Sequence, residues 1–137
     1  MISAIVQKDY NEIMRYINEI EEDNQLWEHF RKQIGNNPYL KSYYGNKMLI
    51  GRRAGWYAVV RALKPKVVIE TGVATGIGAC VVSAALMKNT EEGCGGHYYG
   101  AEIDRSQCVL FKEPYTKFGT ILWGDSLDSL KDLTMKL

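Results

Sequence analysis

The chain has 137 residues, of which 46% are hydrophobic and 24% are charged, and its formal net charge is +1. This length and balance predict a folded domain with a sizeable core, and the near-zero charge gives no support for binding to nucleic acid or to a membrane surface through bulk charge. No apolar run reaches the roughly 20 residues that span a bilayer, and the N-terminus lacks the apolar core of a signal peptide. We therefore expect a cytoplasmic protein.

The cysteine and histidine residues give no sign of a metal or catalytic site. Cys80, Cys94 and Cys108 are odd in number, widely spaced and without a CxxC pair, which favours free thiols in a reducing compartment. His29 and His97 have no neighbouring metal ligands or triad partners in the sequence. We expect no metal ion.

Residues 1 to about 63 are predicted to be helical. Apolar residues recur at three- and four-residue spacing from Tyr10 to Ile20, and a second apolar face runs from Trp27 to Ile34 after a capping point at Asp23-Asn24. The glycine, asparagine and proline residues of 35–46 predict a loop. A further helix is predicted over 47–63. Its apolar side is formed by Leu49, Trp56, Val59, Val60 and Leu63.

From Pro65 onward the pattern changes to alternating strands and helices. The predicted strands are Lys66–Thr71, His97–Glu102 and Thr120–Trp123, and the predicted helices are Ala79–Lys88, Ser106–Tyr115 and Ser126–Leu137. The first strand is β-branched and nearly continuously apolar, which predicts burial on both faces. Short connections between alternating elements favour a parallel sheet of right-handed βαβ units.

The stretch VVIETGVATGIG joins a carboxylate to a glycine-rich turn at the end of the first strand. Ligands of such sheets lie beyond the carboxyl ends of the strands, where glycine lets a ligand approach the backbone and a helix N-terminus offers free N–H groups. No lysine follows the glycines, so the stretch is not a P-loop. The dinucleotide pattern GxGxxG also fails, because Val81 replaces its third glycine when the pattern starts at Gly76. The negative charge of Glu70 suits a ligand with an ammonium or sulfonium group better than a pyrophosphate.

Glu70, Gly72, Ala74 and Gly76 form ExGxAxG, which resembles the first motif of class I S-adenosylmethionine-dependent methyltransferases, with alanine at the usual middle glycine. Two later stretches resemble further motifs of that family. In YYGAEID, Glu102 matches the acidic residue that accepts hydrogen bonds from both ribose hydroxyls. In ILWGDSLDSL, the segment 124–126 matches the residues that contact adenine.

The resemblance covers residues 48–137 and implies a Rossmann-like, doubly wound parallel sheet, of which this chain carries the first three βα units after an N-terminal helical segment (residues 1–47). It implies S-adenosylmethionine as the cofactor and a small-molecule acceptor, in the branch that methylates oxygen atoms of small molecules and sugars. The residues that it assigns to cofactor binding are Glu70, Gly72, Ala74, Gly76, Gly78, Glu102, Ile103, Asp125 and Ser126. Asp125 is also suited to cap the following helix.

In this family the acceptor site is formed largely from the fourth strand onward, and no counterpart of that part is present in the 137 residues. We therefore assign no catalytic residue, and we expect a truncated cofactor-binding half that is completed by a C-terminal half or by a homo-oligomer. The first strand would otherwise be a bare sheet edge. Two alternatives stay open: a fragment of an NAD(P)-binding oxidoreductase, and a non-catalytic Rossmann-like assembly module.

Overall fold

A three-stranded parallel sheet with surrounding helices organises the chain in the computed structural model, which describes residues 1–45 and 50–136. The strands β1 (Val67–Thr71), β2 (His97–Glu102) and β3 (Gly119–Trp123) lie side by side in that order. The helices are α1 (Ile2–Val6), α2 (Tyr10–Glu21), α3 (Asn24–Gly35), α4 (Pro38–Tyr44), α5 (Arg53–Leu63), α6 (Ile77–Glu91) and α7 (Ser126–Thr134). The predicted α/β class and the parallel pairing of the strands are confirmed.

The register of the sheet brings the carboxyl ends of the three strands together. Glu70 lies opposite Gly100, and Glu102 lies opposite Trp123. Because the strands are parallel, the turns that follow Thr71, Glu102 and Trp123 all lie at the carboxyl end of the sheet.

The N-terminal helices follow the predicted apolar faces, with one correction. Asp23 caps α3 as predicted, since its side chain accepts a hydrogen bond from the Leu26 amide (3.0 Å). The predicted loop over 35–46 is wrong, because residues Pro38–Tyr44 form α4. Asn37 caps this helix through the amides of Tyr39 and Leu40, and Pro38 occupies the first helical position, where its missing N–H costs nothing.

Helix α5 is shorter than the predicted helix over 47–63. It begins at Arg53 after a turn in which Gly51 has φ +56°. Residues 47–49, including the predicted core residue Leu49, lie outside the described residues.

Helix α6 forms the centre of the core. Its residues from Ile77 to Leu86 are all buried, so it has no polar face, which is typical of a helix packed on several sides. It packs against α5, β2 and the 3₁₀ turn Tyr115–Phe118.

The predicted helix over Ser106–Tyr115 is wrong. Irregular turns fill the connection from β2 to the 3₁₀ turn. Two amides of this segment bond to the glycine-rich turn instead of to a helical carbonyl: Cys108 donates to Ala74 O (2.7 Å) and Leu110 donates to Thr75 O (3.0 Å). Because Cys108 also has φ +61°, a continuous helix cannot form here.

The predicted burial of the first strand on both faces is also wrong. Val68 and Glu70 are half-buried beneath α5 and α6, but Val67 and Ile69 on the other face are 36% and 45% exposed. Side chains alternate between the faces of a strand, and α7 packs on this second face against β2. Within the described part of the chain, every helix is too short or too polar to cross a bilayer.

Candidate functional site

An open cleft of about 340 Å³ lies at the carboxyl ends of the strands. It brings together three stretches that are far apart in sequence, each of which directly follows a strand. The predicted site residues that line it are Gly72, Glu102, Ile103, Asp125 and Ser126, together with Gly124. Its volume is at the lower end of the range for small-molecule sites, about 300–1,000 Å³.

The three glycines of the turn have different surroundings. Gly72 has φ +73°, and a Cβ added there would meet no atom within 4 Å. A Cβ on Gly76 would lie 3.1 Å from the Phe111 amide nitrogen, and one on Gly78 would lie 2.6 Å from the Glu70 carboxylate. Gly76 and Gly78 are therefore needed for packing within the protein, whereas Gly72 leaves room for a ligand beside the backbone.

Ala74, at the middle position of the motif, is exposed and has φ +53°. This is the left-handed region, where a glycine would be unstrained and a residue with Cβ costs about 1 kcal/mol or more. The following residue, Thr75, connects the turn to the N-terminal helices, because its hydroxyl is hydrogen-bonded to the hydroxyl of Tyr44 (2.7 Å). The glycine-rich turn is thus linked to the end of α4 by a hydrogen bond.

Glu102 is buried, and its carboxylate binds two backbone amides. Oε2 accepts a hydrogen bond from Ala74 N (2.8 Å), and Oε1 accepts one from Asp104 N (3.0 Å). These bonds fix the glycine-rich turn to the end of β2. Each oxygen has a second lone pair that can accept from a ligand hydroxyl.

Glu70 does not line the cleft, and neither do Ala74, Gly76 and Gly78 of the same predicted set. The side chain of Glu70 lies on the α5–α6 side of the sheet, where Oε2 accepts a hydrogen bond from the Tyr98 hydroxyl (2.6 Å). Burial raises the pKa of Glu70, the Tyr98 hydrogen bond and the charge of Arg53 oppose that rise, and the charge of Glu102 adds to it. The charge of Glu102 is the smallest of these contributions, and the guanidinium of Arg53 already places a positive charge near Glu70.

Asp125 caps α7 as predicted, since its side chain accepts a hydrogen bond from the Leu127 amide (2.8 Å). Ile103 is 70% exposed at the rim of the cleft, and Gly124 is bonded to the end of β2 through its amide and the Glu102 carbonyl (2.9 Å). The segment 124–126, which was predicted to contact adenine, is thus held beside Glu102 by the backbone.

Tyr98 was not among the residues predicted from the sequence, although its hydroxyl is the hydrogen-bond donor to Glu70. It is fully buried, and burial raises the pKa of its hydroxyl, as does the neighbouring Glu70. The hydroxyl therefore stays protonated and donates a hydrogen bond to Glu70. The signal available in the sequence was the two-residue alternation of β2, which places Tyr98, Gly100 and Glu102 on one face.

Two titratable side chains of the core, Cys80 and His29, are hydrogen-bonded to the Leu110 carbonyl. Burial raises the pKa of the Cys80 thiol, which donates a hydrogen bond to Leu110 O (3.3 Å). Burial lowers the pKa of His29, whose Nε2 is 2.8 Å from the same carbonyl. Within residues 1–45 and 50–136, no group of three or more His, Cys, Asp or Glu side chains comes close enough to hold a metal ion.

A scan against models of known protein families finds no match, and a search of curated proteins finds no relative.

Proposed function

We propose that the chain is the cofactor-binding part of an S-adenosylmethionine-dependent methyltransferase that acts on a small molecule, with oxygen as the methylated atom. The observation that carries the proposal is the cleft at the strand ends, where Gly72, Glu102 and the segment 124–126 meet. Ligands of open parallel sheets bind beyond the carboxyl ends of the strands. The doubly wound, Rossmann-like arrangement belongs to the same proposal.

The residues of the cleft have chemically suitable roles for this cofactor. Gly72 leaves space for close approach to the backbone, and Glu102 has free lone pairs for the ribose hydroxyls. Ile103 offers an apolar surface to the adenine ring, while Asp125 and Ser126 offer polar groups to its edge. Glu70 acts from behind the turn through its charge. The bound cofactor supplies an activated methyl group, and the protein orients it.

A non-catalytic assembly module is the second candidate. It is favoured by the two backbone amides that already occupy the Glu102 carboxylate, because this arrangement gives Glu102 a structural role without any ligand.

Calorimetric titration of the purified chain with S-adenosylhomocysteine and, separately, with NAD distinguishes these functions. We expect one-to-one binding of S-adenosylhomocysteine and no heat from NAD. Binding of NAD alone would favour the oxidoreductase, and no binding of either ligand would favour the module.

The Glu102→Ala variant tests the ribose contact. We expect its affinity for S-adenosylhomocysteine to fall by about 1–3 kcal/mol, since charge-assisted hydrogen bonds are lost. The circular dichroism spectrum of the variant must match that of the wild type, because Glu102 also holds the turn. An unchanged dissociation constant would remove Glu102 from the site.

A further inference from the structure

Arg53 begins α5 and lies close to the carboxyl end of β1. A short connection, 64–66, joins the end of α5 to the start of β1. The helix and the strand are each about 16 Å long, so the first turn of α5 is level with the end of the strand. The side chains agree with this, because a Cβ added to Gly78 would lie 2.9 Å from Trp56 Cζ3 and 2.9 Å from Glu70 Oε2. Arg53, one turn before Trp56, is therefore at the same end of the sheet as the glycine-rich turn.

The guanidinium of Arg53 is held in position but contains a buried donor without an acceptor. Its Cζ lies 5.5 Å from the centroid of the Trp56 ring, in the range of a cation–π contact. Its Nε is buried, and no described residue accepts a hydrogen bond from it. The residue as a whole is half-buried, so a ligand can reach the side chain. Because a guanidinium carries a permanent charge and five N–H donors, this position favours an anionic acceptor such as a carboxylate.

The charge of Glu70, beside Arg53, selects among anionic groups. Burial is the largest influence on the pKa of Glu70 and raises it, whereas the Tyr98 hydrogen bond and the charge of Arg53 lower it. The guanidinium thus lies within electrostatic range of the Glu70 carboxylate, whose hydrogen bond comes from Tyr98. A phosphate group here would be attracted by Arg53 and repelled by Glu70. An α-amino acid group carries an ammonium and a carboxylate, so it presents one opposite charge to each residue.

The order of the strands indicates where such a group of the proposed cofactor would lie. S-adenosylmethionine has three parts, in which the ribose joins adenine to an amino acid group. In the proposed function, the segment 124–126 after β3 binds adenine and Glu102 after β2 binds the ribose. Neighbouring strands are about 4.8 Å apart, so the third part extends toward the end of β1, where Gly72 leaves space beside the backbone. Arg53 and Glu70 lie at this end of β1.

We propose that Arg53 binds the carboxylate of the amino acid group of S-adenosylmethionine. The inference rests on the proposed function and adds a residue to it, since Arg53 is outside the set that the sequence predicts. Trp56 positions the guanidinium, and Glu70 attracts the ammonium group of the same ligand. The contact favours this cofactor over adenosine nucleotides, which carry phosphate in place of the amino acid group.

Isothermal titration with S-adenosylhomocysteine and with its decarboxylated analogue, which keeps the amino group, tests the contact. Arg53→Met removes the charge and keeps most of the apolar length of the side chain. The neighbouring Arg52→Met, at an exposed position, is the matched control and should bind both ligands like the wild type. We expect Arg53→Met to bind S-adenosylhomocysteine about tenfold more weakly or worse, since a charge-assisted hydrogen bond is lost, and to bind the analogue like the wild type.

The wild type and Arg53→Lys carry the test if the circular dichroism spectrum shows that Arg53→Met does not fold. The wild type should bind S-adenosylhomocysteine about tenfold more tightly than the analogue. Lysine keeps the charge but not the planar fork of the guanidinium. Arg53→Lys should therefore prefer S-adenosylhomocysteine to the analogue by a smaller factor than the wild type does.

The outcomes separate this inference from the proposed function. A wild-type chain that does not bind S-adenosylhomocysteine would contradict both. If S-adenosylhomocysteine binds the wild type, the proposed function is supported, and two results would still overturn the inference. The first is equal affinity of the wild type for the two ligands. The second is a substitution of Arg53 that weakens both ligands to the same extent, or neither of them.

Discussion

At the scale of single residues, a substitution of Gly72 distinguishes an effect on ligand binding from an effect on stability. A side chain at this position meets open space in the protein, so the protein itself opposes the substitution only through backbone strain at φ +73°, about 1–3 kcal/mol. Gly93 has φ +81° and equally open surroundings, far from the cleft in the turn after α6.

We predict that Gly72→Val abolishes binding of S-adenosylhomocysteine, because the added side chain occupies the space of the cofactor. Gly93→Val carries similar strain and should bind like the wild type. Isothermal titration measures the affinity of both variants, and thermal denaturation shows whether they have lost the same amount of stability. Wild-type affinity in Gly72→Val would show that the turn does not contact the ligand.

Glu70 provides a pH-dependent prediction. Burial raises its pKa in the folded protein, so the charged form costs stability at neutral pH. Glutamine can still accept the hydrogen bond from Tyr98 without this cost. Glu70→Gln should therefore have a higher free energy of unfolding than the wild type at pH 7. The difference should shrink as the pH falls through the raised pKa and vanish well below the ordinary value of 4.5.

Urea denaturation at several pH values measures this difference, with exposed Glu113→Gln as the control. A Glu70→Gln variant that is less stable than the wild type at pH 7 would mean that the carboxylate is stabilised by its surroundings. Weaker binding of S-adenosylhomocysteine by the more stable variant would fit a charge kept for a cationic ligand.

At the scale of secondary-structure elements, the buried Arg61 links α5 to α2 and to the end of α6 through ion pairs. Its guanidinium is paired with Glu19 of α2 (2.7 Å) and with Glu92 at the end of α6 (2.6 Å). Burial by itself would raise the pKa of Glu19, but hydrogen bonds from Arg61 and Tyr57 outweigh it and leave that pKa below its usual range. Hydrogen bonds from Arg61 and Lys64 lower the pKa of Glu92 to about 2.

We predict that Arg61→Met lowers the free energy of unfolding by about 2–3 kcal/mol at pH 7. This is below the usual cost of breaking a buried pair, because both carboxylates are partly exposed. Carboxylates with lowered pKa values stabilise the fold above their ordinary pKa of 4.5 and lose this effect as the pH falls toward about 2. The difference in the free energy of unfolding between the variant and the wild type should therefore become smaller as the pH falls from about 4.5 toward 2.

Denaturant titrations between pH 7 and pH 3 test this prediction. Arg31, whose partner Glu28 is exposed on the same helix, is the control, and Arg31→Met should cost about 0.5 kcal/mol or less. A loss of stability in Arg61→Met that is the same at pH 7 and pH 3 would show that packing, and not the ion pairs, accounts for it.

Asp125 has a capping role that is separable from ligand binding. Asp125→Ala should cost about 1 kcal/mol of stability, because the Leu127 amide loses its acceptor, while Asp125→Asn keeps the cap. If Asp125 also contacts the cofactor through its charge, both variants should bind S-adenosylhomocysteine more weakly. Wild-type affinity in both variants would leave Asp125 with the capping role alone.

The predictions from sequence succeeded where local patterns determine the structure. Regular apolar spacing gave α2 and α3, and the strand ends at Thr71, Glu102 and Trp123 could be located from β-branched and aromatic runs. They failed where tertiary hydrogen bonds determine the backbone, as in the segment around Cys108, whose amides bond to the glycine-rich turn. They also failed at α4, because an asparagine followed by proline marks a helix start as well as a loop.

The same limit applies to the candidate site. The positions of Gly72, Ile103 and Ser126 at one edge follow from the parallel topology, which the alternation of elements indicates. The direction of Glu70 away from the cleft depends on Tyr98 and on the close approach of Gly78. Strand alternation alone puts Glu70 on the same face as Val68, but the hydrogen bond with Tyr98, 28 residues away, has no local signature in the sequence.

At the scale of the whole molecule, cofactor binding should stabilise the fold by mass action. A ligand present at 100 times its dissociation constant adds about 2.7 kcal/mol, which corresponds to a rise of roughly 10 °C in the melting temperature of a domain of this size. We predict this rise for S-adenosylhomocysteine in a thermal denaturation experiment and no rise for NAD. A larger rise with NAD would contradict the assignment of the cofactor.

The central claim is that S-adenosylmethionine binds in the cleft formed by the three strand ends, and mapping of amide chemical shifts tests it most directly. The isotopically labelled chain would be titrated with S-adenosylhomocysteine, and the amide signals of Gly72, Ile103 and Ser126 would be followed. We predict that these signals shift together with one dissociation constant, while those of α2, on the far side of α5, stay in place. Saturating ligand that leaves the three signals unmoved, or that shifts a different surface, would contradict the claim.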